Sequence, residues 1–228
     1  MRVQLSAGEI FVQVSGAEGA PPMVLLHGTN SDSSGWGQVV PGLGERFRVY
    51  AVDQRGHGQS AWTPTYSFEE MRDDLLELVE KLELGEFLLC GHSMGGTVAT
   101  LFAERYADRL SGLILVDSPP PDGEGEWKVP ERPDEEPGFD WEVLPAIFGQ
   151  LAKPDPAWWD ELPAIAVPTL ILGGGSTSPV PQGKLVEVAD RIPAARLVTI
   201  EGAGHAIQRT RPTEFLAELD EWLDAIHQ

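Results

Sequence analysis

Glu86-Phe87-Leu88-Leu89-Cys90, then Gly91-His92-Ser93-Met94-Gly95, then a helical stretch from about Gly95 to Tyr106: this run decides how the rest of the chain is read. A short apolar segment bounded by polar and glycine residues is a buried strand, and the residues beyond the glycines have helical spacing. The pentapeptide between them fits the pattern Gly-x-Ser-x-Gly, a sharp strand-to-helix turn that exposes the serine hydroxyl. Gly91 and Gly95 supply the small flanks that let the backbone fold so tightly. A serine oxygen is a weak nucleophile until a base takes its proton, so Ser93 needs partners elsewhere in the chain. The same turn places the Met94 N–H at a helix N-terminus, aimed where an oxyanion would form.

Outward from this run, short apolar segments alternate with segments of helical period, the pattern of a mostly parallel sheet covered by helices. Residues 1–15 alternate through Val3, Leu5, Ile10, Val12 and Val14 around the turn Ala7-Gly8, predicting a hairpin. Strands are expected at Met23–Leu26, Phe47–Val52, Leu113–Val116, Thr169–Leu172 and Arg196–Ile200. A short helical stretch lies near Val39 to Leu43. The clearest helix is 68–83, where Phe68, Met71, Leu75, Leu78 and Leu82 share a face, opened by a Ser67-x-x-Glu70 capping box. Its acidic face reads as solvated surface. Further helices are expected around 182–191 and through Phe215, Leu219, Trp222 and Ile226.

From Ser118 to Glu161 the pattern breaks. Those residues hold nine of the nineteen prolines, four of the seven tryptophans, and twelve acids against three bases. Proline at that density predicts an insertion with short helices at most, dividing the chain into a core of 1–117 with 162–228 and a lid of 118–161. Trp127, Trp141, Trp158 and Trp159, with Phe139 and Phe148, are too apolar to leave in water. The four tryptophans are candidate pocket residues, favouring a small-molecule substrate with an apolar acyl or aryl part.

The chain has 228 residues, a size that suits one large domain, and a formal net charge of −20. Such a surface repels phosphate backbones and anionic lipid heads, so neither nucleic acid nor membrane is an expected partner. One cysteine, Cys90, forms no intramolecular disulfide, and no Cys/His grouping has metal-ligand spacing. No signal-peptide pattern or long apolar run stands out, which together with the lone cysteine reads as a soluble cytoplasmic protein. Oligomeric state is not legible.

Taken with its surroundings, the Ser93 turn resembles the nucleophile elbow of the α/β-hydrolase superfamily, and the likeness extends along nearly the whole chain. Leu25-Leu26-His27-Gly28-Thr29 is similar to the family's His-Gly-x turn, which implies the Thr29 N–H as second oxyanion donor. Asp53-Gln54-Arg55-Gly56-His57-Gly58-Gln59-Ser60 resembles the loop Asp-x-Arg-Gly-x-Gly-x-Ser of esterase-like members. Gly202-Ala203-Gly204-His205 resembles the turn bearing the catalytic histidine. The resemblance implies an α/β-hydrolase fold: an eight-stranded, mostly parallel sheet, helices on both faces and a lid after strand six. His205 is the expected base. His27 and His57 read as loop-packing residues, His92 as pointing elsewhere on the elbow, and His227 as terminal. Asp53 and Arg55 are expected to hold their loop by an ion pair.

The third triad member departs from the usual pattern. Related enzymes place an acid in the loop after strand seven, whereas this chain reads Gly173-Gly174-Gly175-Ser176-Thr177-Ser178. Some members carry it at the end of strand six instead, which is Asp117 here. A Ser93–His205 dyad helped by water or Ser176, or a lid carboxylate such as Asp122, are the alternatives. The resemblance implies hydrolysis of a carboxylic ester, lactone or thioester through an acyl-enzyme, with no metal or organic cofactor. Because the base must be neutral, activity is expected to fall as pH drops through roughly 6 to 7. Proline-selective aminopeptidase action, cofactor-free perhydrolysis and a non-catalytic binding protein on the same fold stay open.

Overall fold

The computed structural model describes residues 1–226 except Glu126 and Glu136, so the reading of His227 lies outside the described residues. Among the described residues there are eight strands: β1 Arg2–Leu5, β2 Gly8–Ser15, β3 Pro22–Leu26, β4 Arg48–Val52, β5 Phe87–His92, β6 Leu110–Val116, β7 Thr169–Gly173 and β8 Ala195–Thr199. The α-helices are α1 Val40–Leu43, α2 Phe68–Lys81, α3 Met94–Tyr106, α4 Val143–Ala152, α5 Ala157–Asp160, α6 Gln182–Arg191, α7 Ile207–Thr210 and α8 Pro212–Ile226. The strands form one sheet in the order β1-β2-β4-β3-β5-β6-β7-β8. β2 pairs antiparallel with β1 and β4; every pairing from β4 to β8 is parallel.

Period-two alternation along the central strands sends side chains to opposite faces. Val24, Leu26, Phe87, Leu89, Leu113 and Leu115 belong to one buried cluster, which α2, α3, α4 and α6 cover with residues such as Met71, Leu75, Phe102 and Ile147. Met23, Leu25, Leu88, Cys90, Ile114 and Val116 belong to the other, covered by α1 and α8 through Leu43, Phe215, Leu219 and Trp222. This two-sided covering is why the central strands read as unbroken apolar runs. Burial holds Cys90 as an inert thiol, its pKa raised.

β5 runs two residues further than its apolar run, so the motif starts inside the strand. The Ser67 hydroxyl accepts the Glu70 N–H at 3.1 Å and caps α2. The Glu70 carboxylate, however, turns to Arg55 at 3.0 Å and to the Thr65 hydroxyl at 2.6 Å, so one half of the expected capping box is used elsewhere.

Between β6 and β7 the chain forms α4 and α5 within otherwise irregular backbone. Ten residues of α4 tolerate Pro145 because it falls in the first turn, where its missing N–H has no intrahelical acceptor to lose. Halfway along, this stretch is stitched to the loop after β4. Gly58 donates its N–H to Gly138 O at 2.9 Å, Asp140 donates to Gly56 O at 2.7 Å, and His57 pairs with Phe139 as an isolated antiparallel bridge. The Tyr66 hydroxyl donates to Asp140 Oδ2 at 2.6 Å, fastening the same point. Among the described residues no helix is long and apolar enough to cross a membrane.

Candidate active site

The C-terminal ends of parallel strands are where an open α/β sheet presents a crevice, and the predicted site residues collect there. Ser93 follows β5 with φ 53° and ψ −121°, a backbone conformation that costs a residue with a side chain about 1–3 kcal/mol and is kept where surroundings over-determine it. The surroundings are on both sides. A Cβ on Gly91 would lie 2.3 Å from Gly95 O, and one on Gly95 would lie 2.4 Å from Leu26 O, so neither position admits any other residue. Gly95 donates its N–H to His27 O at 3.1 Å, Ser93 donates to Val116 O at 3.3 Å, and the Ser118 hydroxyl donates to Ser93 O at 2.7 Å.

His205 lies on the loop after β8. Its Nδ1–H donates to Asp117 Oδ2 at 2.7 Å, which leaves Nε2 as the acceptor nitrogen of a neutral ring. Asp117 directly follows β6 with φ 49°, wholly buried, its N–H bound to Leu172 O at 2.7 Å. Its carboxylate accepts three more hydrogen bonds: from the Ser178 hydroxyl, from the Gly174 N–H at 3.0 Å and from Gln182 Nε2 at 3.1 Å. Burial works against the charge of Asp117, but these donors together with His205 outweigh it and hold the carboxyl below its ordinary pKa.

The same bonds account for the glycines after β7. Gly174 gives its N–H to Asp117 and accepts the Gly204 N–H at 2.9 Å, so the loop after β7 serves as backbone scaffold for both the acid and the histidine loop. A Cβ on Gly174 would fall 2.0 Å from Gly204 O. An acidic side chain has no room there.

Thr29 and Met94 line the same cavity as Ser93, His205 and Asp117. Met94 opens α3, where a first-turn N–H has no intrahelical acceptor. The turn carrying Thr29 is braced by Gln54, which donates its N–H to His27 Nε2 at 3.0 Å and its Nε2–H to His27 O at 2.8 Å. The remaining described histidines are structural. Burial lowers His27 to about 4, and it packs edge-on against His57, which burial lowers to about 3. His92 points away from the nucleophile: its Nε2–H donates to His205 O at 2.9 Å, and burial beside His205 lowers it to about 4. It therefore holds the histidine loop without carrying charge, a role no sequence signal announced.

The expected Asp53–Arg55 ion pair is not formed. Asp53 accepts the N–H groups of Ser33 at 2.7 Å and Gln59 at 2.8 Å, wrapping its own loop. Arg55 reaches instead to α2, gripping Asp74 through Nε at 2.5 Å and Nη2 at 2.7 Å, and Glu70. Part of the acidic face of α2 is thus an anchor for the loop rather than solvated surface.

The cavity holds about 690 Å³, within the roughly 300–1,000 Å³ of small-molecule sites. Of the four candidate tryptophans it is lined by Trp127; the others lie outside its lining. Trp158 is buried edge-on against Phe68, Trp141 stacks on Phe139, and Trp159 lies between Lys184 and Arg191. They glue the segment to the core. Phe68, Thr97, Ile147, Leu151 and Pro179 line the cavity without having been singled out, because which face of a helix meets a crevice is a tertiary fact. Among the described residues no group of His, Cys, Asp and Glu could hold a metal ion.

Comparison with known proteins finds esterases and one family of hydrolases. The esterase YbfF of Escherichia coli is 23% identical over 89% of this chain and 93% of its own. A pimeloyl-[acyl-carrier protein] methyl ester esterase of Vibrio vulnificus is 37% identical over 58% of this chain, an alignment spanning 48% of that relative. A thermophilic esterase from Thermogutta terrifontis, solved with malate bound, superposes with a TM-score of 0.87 at 29% identity, covering both chains completely. Residues 23–219 match the alpha/beta hydrolase family, and the chain belongs to it.

Proposed function

We propose that the chain is a serine hydrolase that cleaves a carboxylic ester, lactone or thioester through an acyl-enzyme. The observation that carries this reading is the 2.7 Å bond from His205 Nδ1–H to the buried Asp117, with Ser93 lining the same cavity on a strained elbow. Esterases among its relatives support it. His205 Nε2 takes the Ser93 proton as the oxygen attacks the carbonyl, and Asp117 fixes the ring and stabilises the imidazolium. The N–H groups of Thr29 and Met94 hold the oxyanion. Collapse of the tetrahedral species expels the alcohol, or the thiol of a thioester, protonated by His205, and water repeats the steps to release the acid.

Residues 118–161 act as the lid of this site. The Pro119–Pro121 run, Trp127, Phe148 and Leu151 line one side of the cavity, which suits an apolar acyl or aryl group. The test is labelling by a fluorophosphonate probe together with turnover of p-nitrophenyl butyrate. Wild type should do both, and Ser93→Ala and His205→Ala neither. Unlabelled wild type would leave a binding protein, and aminoacyl-anilide turnover exceeding ester turnover would favour an aminopeptidase.

A further inference from the structure

The cavity around Ser93 has a second neighbour. Pro121, Asp122 and Lys184 line it from within and also line a more open groove of about 550 Å³ on the far side, bounded by α5 and α6. The residues common to both spaces form the partition between them. Its charged part is an ion pair, Lys184 Nζ to Asp122 Oδ2 at 3.1 Å, with both side chains about three-quarters covered and Asp122 Oδ1 accepting the Glu124 N–H at 2.9 Å. Its other part is Pro121, held by Trp159 from the groove side: the Trp159 Nε1–H donates to Pro121 O at 3.0 Å, and Arg191 donates to Trp159 O at 3.2 Å while its guanidinium lies 5.1 Å from the ring. Glu187, 3.5 Å from Lys184, steadies the cation from the groove side.

On the Ser93 side of this partition Phe68, Ile147, Phe148 and Leu151 supply apolar walls, with Thr97, Ser118 and Glu124 as polar lining. An apolar chain extending from a carbonyl at Ser93 is favoured along those walls. It stops being favoured where its end must strip water and partner from a charged pair. Beyond the pair there is room again.

We propose that the Asp122–Lys184 pair is the specificity-determining end stop of the acyl site, setting the chain length accepted by closing the cavity off from the outer groove. The proposal rests on the hydrolase reading above. It makes the preferred substrate an ester of a short to medium acyl chain. Opening the partition joins the two spaces and admits longer chains.

The test compares kcat/KM for p-nitrophenyl butyrate, decanoate and palmitate. Asp122→Ala and Lys184→Ala should each raise the palmitate-to-butyrate ratio at least tenfold, chiefly through KM. The charge swap Asp122→Lys with Lys184→Asp should bring it back to within threefold of wild type, and Arg196→Ala, in a remote ion pair, should leave it unchanged. An unchanged ratio in the single variants, or a swap that restores nothing, overturns the proposal. A second arm needs no turnover: 1-hexanol and 1-dodecanol are titrated into Ser93→Ala and into Ser93→Ala with Lys184→Ala. Dodecanol should bind the double variant at least tenfold tighter relative to hexanol; equal ratios overturn the end stop. If wild type hydrolyses no ester, the hydrolase reading falls alone, and the titration still decides the partition.

Discussion

Asp117→Asn is the substitution whose outcome the geometry constrains most tightly. The carboxylate accepts at both oxygens: Oδ1 from Gly174 and Gln182, Oδ2 from Ser178 and His205. An asparagine keeps an acceptor toward the Gly174 N–H, which cannot turn, by putting its carbonyl oxygen there. Its amide then faces His205 and Ser178, presenting donors where acceptors stood. His205 Nδ1 must become the acceptor, its proton moves to Nε2, and the ring loses the lone pair that would take the Ser93 proton. A wrong-tautomer histidine of this kind costs about 10⁴ in turnover, or ~5 kcal/mol of transition-state stabilisation. Shape is preserved and the Ser178 hydroxyl can rotate to accept, so thermal stability should fall by no more than about 1–3 kcal/mol, the cost of a weakened buried bond. The assay is kcat/KM on p-nitrophenyl butyrate, with a melting curve to confirm folding and the fluorophosphonate labelling rate as a second measure of Ser93 reactivity. Turnover within tenfold of wild type in a folded variant would refute the reasoning and move the orienting acid elsewhere.

Three further outcomes are expected. Burial with Glu161 nearby pushes Glu104 up to about 8, and its Oε1 is buried without a hydrogen-bond partner; the fold prefers the protonated acid, so this group's contribution is full below the unfolded value near 4.5, is lost as pH rises toward 8, and stays lost above it. Glu104→Gln should therefore melt higher than wild type at pH 9, by roughly 1–3 kcal/mol, with the gap closing by pH 4; a gap independent of pH would contradict this assignment. Trp158→Ala, removing a buried ring, should cost about 3–5 kcal/mol in urea denaturation, whereas Trp127→Ala, 42% exposed and on the cavity wall, should leave stability within about 0.5 kcal/mol and raise KM for aryl esters. Gly95→Ala should cut kcat/KM at least a hundredfold, because its methyl would press on both Leu26 O and His27 O and displace the turn that carries Thr29; normal labelling of that variant by the fluorophosphonate probe would show the turn to be more forgiving.

Much of the fold was legible because its central strands are covered on both faces and its helices on one, and these two patterns differ in period. The hairpin of Val3, Leu5 and Ile10, the face of Phe68, Met71 and Leu75, and the strand before Ser93 were all evident from spacing. The elbow was legible for a different reason: a backbone that tight excludes all but glycine, and that exclusion is written in the sequence. Partnership at a distance did not show. Nothing near Arg55 says that its guanidinium crosses to Asp74 rather than to Asp53, since the choice depends on how α2 lies against the loop. The destinations of Trp141, Trp158 and Trp159 were hidden likewise, because burying an indole against the core and burying it against a substrate leave the same composition. Pro145 lies inside a helix of ten residues, as a proline breaks a helix only when it falls beyond the first turn.

The stitch at Gly138–Asp140 changes what kind of object the stretch between β6 and β7 is. Tethered at its ends alone, it would be one long flap whose ordering draws on the entropy of the entire span. Pinned at its middle to Gly56 and Gly58, it becomes two shorter arches, and each halving of a span trims its closure cost by about 0.6 kcal/mol. The arch holding α4 and α5 keeps Trp158 packed on Phe68, and it steadies the other arch as well, because the Trp159 indole N–H donates to Pro121 O and Phe148 meets the Trp127 ring.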